Sequence, residues 1–517
     1  MTGSIVGSWL RRLAIGAIGV LSLTAQATTP VLPSVSQVLV RPALGDWAYI
    51  GAGANPPSEA ACNAAGRRCF TPAAMHNAYD YAKLLAAGNQ GQGKTIAVVD
   101  SFGASTIRDD LGVFDKAFGL PICGDSGVSD PSGNCPSTVS PRFDIVHLQG
   151  GPPPTPPPPN NGTGQENHNL WDLEVALDVE WAHATAPLAN IMLVATPTAE
   201  TLGVQGFQQM MNSEDTLILN HQVDVISQSF GSGEGAFHSG TASIKQLRQA
   251  FIDAQANKVT VFASSGDGGT SNNFKEPVKK PAEIPYPSVI WPASDPLVTA
   301  VGGTYLCVNA STGLGVDTVS PPARCRTALN PDSSRETGWV FSGGGYSIVF
   351  GKPDYQNSMP AGSSYAGCTS GGPSSQSCPA RGVPDVAYQA SSGTGVLVYL
   401  SEPNTTASGT GCGGASPCST GWFVVGGTSA SSPQWAGLVA IADQIAGRDL
   451  GFINPALYQI GVSAKYSSDF FDVHTNSNHN PNSTLPGYPS TTGWDAVTGL
   501  GTPDAANLIP DLIAATS

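Results

Sequence analysis

Val425–Gln434 reads VGGTSASSPQ, and its glycine-rich approach sets one hydroxyl, Ser429, at a tight turn where it could face a cleft. A helix is expected to begin at Ser432-Pro433 and to run through Trp435, Leu438, Ile441 and Ile445 beneath that turn. A serine attacks a carbonyl only when a neighbouring base takes its proton. The plain alternative is an ordinary serine-rich helix start, since serine is a common cap.

The chain has eight histidines in which to seek that base. The order Asp100, His168, Ser429 imitates a subtilisin-like triad, with Asp100 closing a strand. His168, however, lies in the polar run Glu166-NHN-Leu170, without glycine and threonine around it. His183, between Ala182 and Ala184, reads equally well as a helix-surface or core-edge residue. A carboxylate base fits the pattern better. In Leu173-EVALDV-Glu180, an apolar stripe of Leu173, Ala176, Leu177 and Trp181 has helical spacing. Glu174 and Asp178 then stand one turn apart, about 40° around the axis, while Glu180 points elsewhere. Two like charges so close hold a shared proton when buried. Such a pair takes a serine proton under acid conditions, where histidine is already charged. The competing reading is a solvated acidic helix face.

A third acid lies in Val261-FASSGDG-Gly269, where an apolar strand delivers Asp267 into a glycine-rich turn. Its side chain either binds backbone amides or, protonated, donates to an oxyanion forming at Ser429.

These residues need a scaffold of buried strands. Apolar runs at Thr95–Asp100, Ile191–Ala195, Val223–Ile226, Val259–Ala263, Leu297–Val301 and Val396–Tyr399 alternate with helical patterns. One helix is expected from Thr71-Pro72 through Met75, Tyr79, Tyr81 and Leu85, and another around Arg108–Phe118. The fold class is α/β, a mostly parallel central sheet flanked by helices. Gly88-NQGQGK-Thr95 spells a phosphate-binding loop, but the helix precedes it and the strand follows. That inverted order makes it an αβ turn. Gly151–Asn160 is proline-rich and reads as an exposed extended excursion. Segments 361–379, 402–420 and 474–490 read as surface loops.

Of the 517 residues, 61 are glycine and 42 proline, so loops occupy much of the chain. A net charge of −15 with 12% charged residues argues against nucleic-acid binding. Arg11-Arg12, the apolar run Leu13–Ala25 and Ala25-Gln26-Ala27 read as a secretory signal, 1–27. No later stretch is apolar enough for a transmembrane helix, so no stable membrane association is expected. The ten cysteines form local couples: Cys62/Cys69, Cys123/Cys135, Cys307/Cys325, Cys368/Cys378 and Cys412/Cys418. Nearest-neighbour disulfides suit an exported chain. Zinc ligation is the rival, without a C-x₂-C pair to support it.

Taken together, EVALD at 174–178, SSGDGG at 264–269 and GGTSASSP at 426–433 resemble the sedolisin family of serine-carboxyl peptidases, whose fold is similar to subtilisin's. Val298–Thr304, Trp339 with Ser342-GGGY-Ser347, and Arg381–Ala387 add to the resemblance. It implies a subtilisin-like peptidase domain over 68–513 with long disulfide-stapled loops, after an extended arm at 28–67. It implies Ser429 as nucleophile, Glu174 as general base, Asp178 as the acid that orients Glu174, and Asp267 as oxyanion-hole acid. It further implies one structural calcium, held by Asp472, the carbonyls of Val473, Thr491 and Gly493, and Asp495. Family members typically carry a large folded prodomain, for which residues 28–67 are too short. Either folding proceeds without one or a shorter inhibitory segment serves. The expected protein is a secreted, monomeric, acid-active endopeptidase acting on protein or peptide substrates. The alternatives are a catalytically silent binding protein, an Asp-His-Ser hydrolase, and a tripeptidyl-peptidase.

Overall fold

A computed structural model describes residues 38–121, 141–149, 168–198, 202–238, 241–275, 281–315, 317, 335–365, 379–401 and 420–517. The segment expected to be a secretory signal, the proline-rich run and most of the segments 361–379 and 402–420 lie outside the described residues. So do Cys123, Cys135, Cys325, Cys368, Cys378, Cys412 and Cys418.

The apolar runs form the predicted sheet. Its order is Glu336–Gly338, Thr299–Leu306, Thr260–Ser264, Val225–Gln228, Thr95–Ser101, Asn190–Thr196 and Phe143–Val146, with Val386–Gln389 also pairing Thr299–Leu306. All pairings are parallel except that of Glu336–Gly338. The central sheet is therefore mostly parallel, as expected, and mixed through one antiparallel edge. Alternation along Thr95–Ser101 shows why both faces are covered. Ile96 and Val98 pack into a cluster with Trp181 and Leu438, while Ala97 and Val99 pack into another with Phe207 and Trp291.

Two long helices lie on the first face and pack against each other: His168–Thr185, the acid helix, and Thr428–Ala446, the serine helix. From Trp171 onward the acid helix is buried on every side, which rules out a solvated acidic face. The serine helix starts four residues before Ser432, so Ser429 lies in its first turn. Pro433 is tolerated there because the bond it removes falls on the carbonyl four residues earlier, at the helix edge. The helix expected from Thr71 is two, Pro72–Ala78 and Ala82–Ala86, broken where Asp80 adopts a left-handed φ of 58°.

The phosphate-loop spelling is indeed an αβ turn: the N–H groups of Gln90, Gly91 and Gln92 all donate to Gln444 Oε1. Cys62 and Cys69 form a disulfide that ties helix Glu59–Ala64 to strand Arg68–Phe70 rather than stapling a long loop. Cys307 is also disulfide-bonded. Among the described residues, no helix is long and apolar enough to cross a membrane.

Candidate active site

The chain passes to either side of Thr95–Ser101, and ligands bind at the carboxyl ends of parallel strands beside such a switch point. Three adjacent strand ends converge there. Asp100 closes the first, Ser227-Gln228-Ser229 the second, and Ser264 leads into Asp267 from the third. The acid helix supplies Glu174 and Asp178 to the same place, and the serine helix supplies Ser429.

Asp100, Glu174, Asp178 and Ser429 are fully buried, while Asp267 is partly exposed with its Oδ2 buried. Glu174 feels, in falling order after its own burial, the charges of Asp178 and Asp100, the hydroxyl of Ser429, and the charge of Asp267. Burial and these like charges hold its proton well above the usual carboxylate range. Neither Glu174 oxygen has a hydrogen bond of good geometry, and Ser429 Oγ points at the Ser229 carbonyl, 3.5 Å away. Ser229 Oγ donates to Asp178 Oδ1 at 2.9 Å, and burial and Asp100 push the Asp178 pKa up as well.

Asp267 Oδ1 accepts the N–H of Thr428 at 2.7 Å and its hydroxyl at 2.8 Å. Burial raises the Asp267 pKa to about 7 against these bonds, so the acid is neutral in mildly acidic solution. Its other oxygen, Oδ2, faces Gly45 and Gly427 without a hydrogen bond of good geometry. The N–H of Ser429 donates to the carbonyl of Ala43 at 3.3 Å. A hydroxyl, a carboxyl pair and two donors, one an acid and one an amide, are the parts needed to attack a carbonyl and hold its oxyanion.

Spacing alone left Asp100 to the histidine triad. Burial instead pushes its pKa to about 8, and it sits among the acids with both oxygens lacking hydrogen bonds. His183 pairs with Asp115 at 3.3 Å and the Pro121 carbonyl at 3.0 Å, and the His168 side chain lies outside the described residues. Glu180 turns away, as expected, to accept the N–H of Tyr399 at 3.1 Å. Three contributors escaped the sequence reading: Thr428, Ser229 and the arm at Ala43–Gly45. Thr428 carried a signal, standing beside the nucleophile in GGTSAS. The other two carried none.

The residues matched to calcium also meet. Asp472 Oδ2 accepts the N–H of Gly493 at 2.9 Å, and Asp495 Oδ2 that of Thr491 at 2.9 Å. Thr498 Oγ1 bridges Asp495 and the Val473 carbonyl, each at 3.3 Å. Asp472 Oδ1 is buried, and the Tyr466 hydroxyl stands beside this carboxylate. Among the described residues no group of three or more His, Cys, Asp or Glu side chains could hold a metal. A calcium ion here would have to rely on two carboxylates and backbone carbonyls, oxygen donors of the kind calcium takes.

A profile of the subtilase family matches residues 163–451. Kumamolisin from Bacillus sp. (strain MN-32) is 28% identical over 498 residues, covering 94% of this chain and 72% of that protein. Tripeptidyl-peptidase 1 from Canis lupus familiaris is 27% identical over 75% of this chain, which spans only 61% of that protein. Pseudomonas sedolisin, a serine-carboxyl proteinase whose structure was solved with pseudo-iodotyrostatin, superposes with a TM-score of 0.59 at 22% identity, covering 86% of this chain and 98% of that one.

Proposed function

This chain belongs to the subtilase family and to the sedolisin family of serine-carboxyl peptidases, and from that premise we propose an acid-active endopeptidase that works through an acyl-enzyme on Ser429. The observation that carries this reading is the meeting of Glu174, Asp178, Asp100, Asp267 and Ser429 in one water-poor site from four separate stretches of chain.

Ser429 Oγ attacks the peptide carbonyl while its proton passes to Glu174. Asp178, fixed by Ser229, and Asp100 keep that proton within the carboxyl cluster, so Glu174 can return it to the departing amine. The Ser429 N–H and the protonated Asp267 hold the oxyanion, and water then hydrolyses the ester. The pH sense follows from Asp267. Its donor form predominates below about pH 7 and is lost above it, so activity falls toward neutrality. The base itself is available in molecules whose coupled Glu174–Asp178 pair has given up a proton, a fraction that shrinks as pH falls. Endopeptidase action is favoured over tripeptidyl release because backbone runs past Ser429 in both directions, from Val38 through Ala43 to Gly51.

We also read Asp472, Asp495 and the carbonyls of Val473, Thr491 and Gly493 as holding one calcium ion, which would tie two loops together and stiffen the lobe behind the site. The protein is read as exported and acting as a monomer on extended protein or peptide substrates. Casein cleavage across pH with E174Q, S429A and H168A tests the reading. Loss in the first two but not the third supports it. Full activity in E174Q would falsify it, and activity lost only in H168A would select the histidine triad.

A further inference from the structure

Segment 474–490 reads from its sequence as a surface loop, yet one face of it lies on the turn that carries Asp267. Ser477 and Pro489 bridge antiparallel, and the Asn478 N–H donates to the Tyr488 carbonyl at 3.1 Å. Asn478 is fully buried. Its Nδ2 donates to the carbonyls of Ser342 at 3.1 Å and Ala496 at 3.2 Å, and its Oδ1 accepts the Tyr488 N–H at 2.7 Å. An asparagine buried with both ends of its amide engaged is a fixed part of the fold.

The loop meets the turn at three successive residues. Asn480 Nδ2 donates to the Gly268 carbonyl at 3.0 Å. Gly269 is pressed on the Asn478 carbonyl, whose oxygen would lie 2.3 Å from a Cβ there, and its φ of 62° also asks for glycine. Thr270 Oγ1 donates to the Pro486 carbonyl at 2.9 Å. Glu283, in the short strand Pro281–Glu283, accepts the hydroxyl of Ser271 at 2.6 Å and that of Ser483, so turn and loop also end on one carboxylate.

From the other side the serine helix holds the same turn. Thr428 Oγ1 accepts the Gly266 N–H at 3.0 Å while donating to Asp267 Oδ1. Asp267 thus sits between a clamp that belongs to the nucleophile and a clamp that belongs to the loop. A turn with glycines at 266, 268 and 269 imposes little direction of its own, so its neighbours must supply it.

We propose that loop 474–490, through Asn480 and the buried Asn478, is a positioning element for the oxyanion acid and holds the turn 266–270 so that Asp267 stays in register with Ser429. This rests on the peptidase reading above. Asn480 touches neither substrate nor reacting atoms and acts only through Asp267. A donor aimed in advance stabilises an oxyanion without reorganising, and a misplacement of about 1 Å forfeits much of that. The same clamp keeps the turn closed against water, which is what raises the Asp267 pKa to about 7. The titratable groups around Asn480 are Asp267 on the turn, His479 beside it and Glu283 on the facing strand, and N480A changes the charge of none.

The test measures hydrolysis of a soluble internally quenched peptide by the full chain from pH 3 to 8, with thermal midpoints alongside. N480A should lower kcat by about tenfold with KM within about twofold of wild type. Its decline toward neutrality should move down by about one pH unit, because a loosened turn admits water to Asp267. N507A removes a bond of the same kind, from Asn507 Nδ2 to the Ser468 carbonyl, outside the loop and the turn, and should leave both readouts in place. In D267N, adding N480A should change kcat by no more than about twofold, since the acid it positions is gone. T270V cuts the other side-chain bond between turn and loop, should move the decline the same way, and stands in for N480A if that variant does not fold. Wild-type kcat and decline in N480A, or a loss that persists undiminished in D267N, overturns the positioning role and leaves the peptidase reading standing. A wild type that cleaves nothing at any pH removes both.

Discussion

Two buried acidic regions of this molecule solve the same problem in opposite ways. Asp385 is fully buried, and its oxygens take Arg381 at 2.8 and 2.5 Å, the Tyr458 hydroxyl at 3.0 Å and the Ala300 N–H at 2.8 Å. At the centre, Asp100 and Glu174 are as deeply buried, but among the described residues no carboxyl oxygen of theirs has a hydrogen bond of good geometry and no cation acts on them. A carboxylate bound by a guanidinium fastens the fold. Carboxyls packed together without one keep protons instead. Burial alone does not separate structural from functional acids; what each acid was given as a partner does.

The comparison can be broken most decisively at the nucleophile. S429A and E174Q should each lower kcat/KM by about 10⁴-fold or more while leaving the thermal midpoint within a few degrees. A large loss of stability with activity retained would place these residues with the fasteners. D385N should do the reverse, destabilising the fold by about 3–5 kcal/mol in denaturant titrations because it strands Arg381.

D267N should reduce kcat by about 10²-fold and flatten the decline in rate toward neutral pH, since an amide donates without titrating. An unchanged pH profile would remove Asp267 from the oxyanion. A smaller effect concerns stability. Asp100 and Asp267, with folded pKa values near 8 and 7, bind protons that the unfolded chain has already lost above about pH 4. Stability from these groups is therefore complete below pH 4 and declines as pH rises through 7 to 8. The thermal midpoint of S429A should be lower at pH 8 than at pH 4 by about 5 °C or more, and D100N should shrink that difference. Chelation should lower the midpoint by a few degrees and release calcium measurable by atomic emission. An unchanged midpoint with no metal found would dismiss the site.

Much of this was legible from residue order. The strands at Thr95, Ile191, Val259 and Leu297 announce themselves as apolar runs, because a strand covered on both faces has no polar side to show. Glu174 and Asp178 declare their common face through helical spacing, which is a local property. The break at Asp80 did not show, because one left-handed residue leaves the apolar periodicity intact. Nor did the start of the serine helix, where Pro433 suggested a first turn that tertiary packing begins four residues earlier.

Sequence by itself determined the kinds of groups available: a serine on a glycine turn, two acids one helical turn apart, and an acid at a strand end. These are short-range facts, fixed by helix pitch, strand alternation and the conformational freedom of glycine. Only the folded chain decided that Asp100 joins Glu174 and Asp178, and that Ala43 reaches Ser429 from 386 residues away along the chain. Contacts between distant segments depend on how the sheet orders its strands, and no local pattern encodes that order.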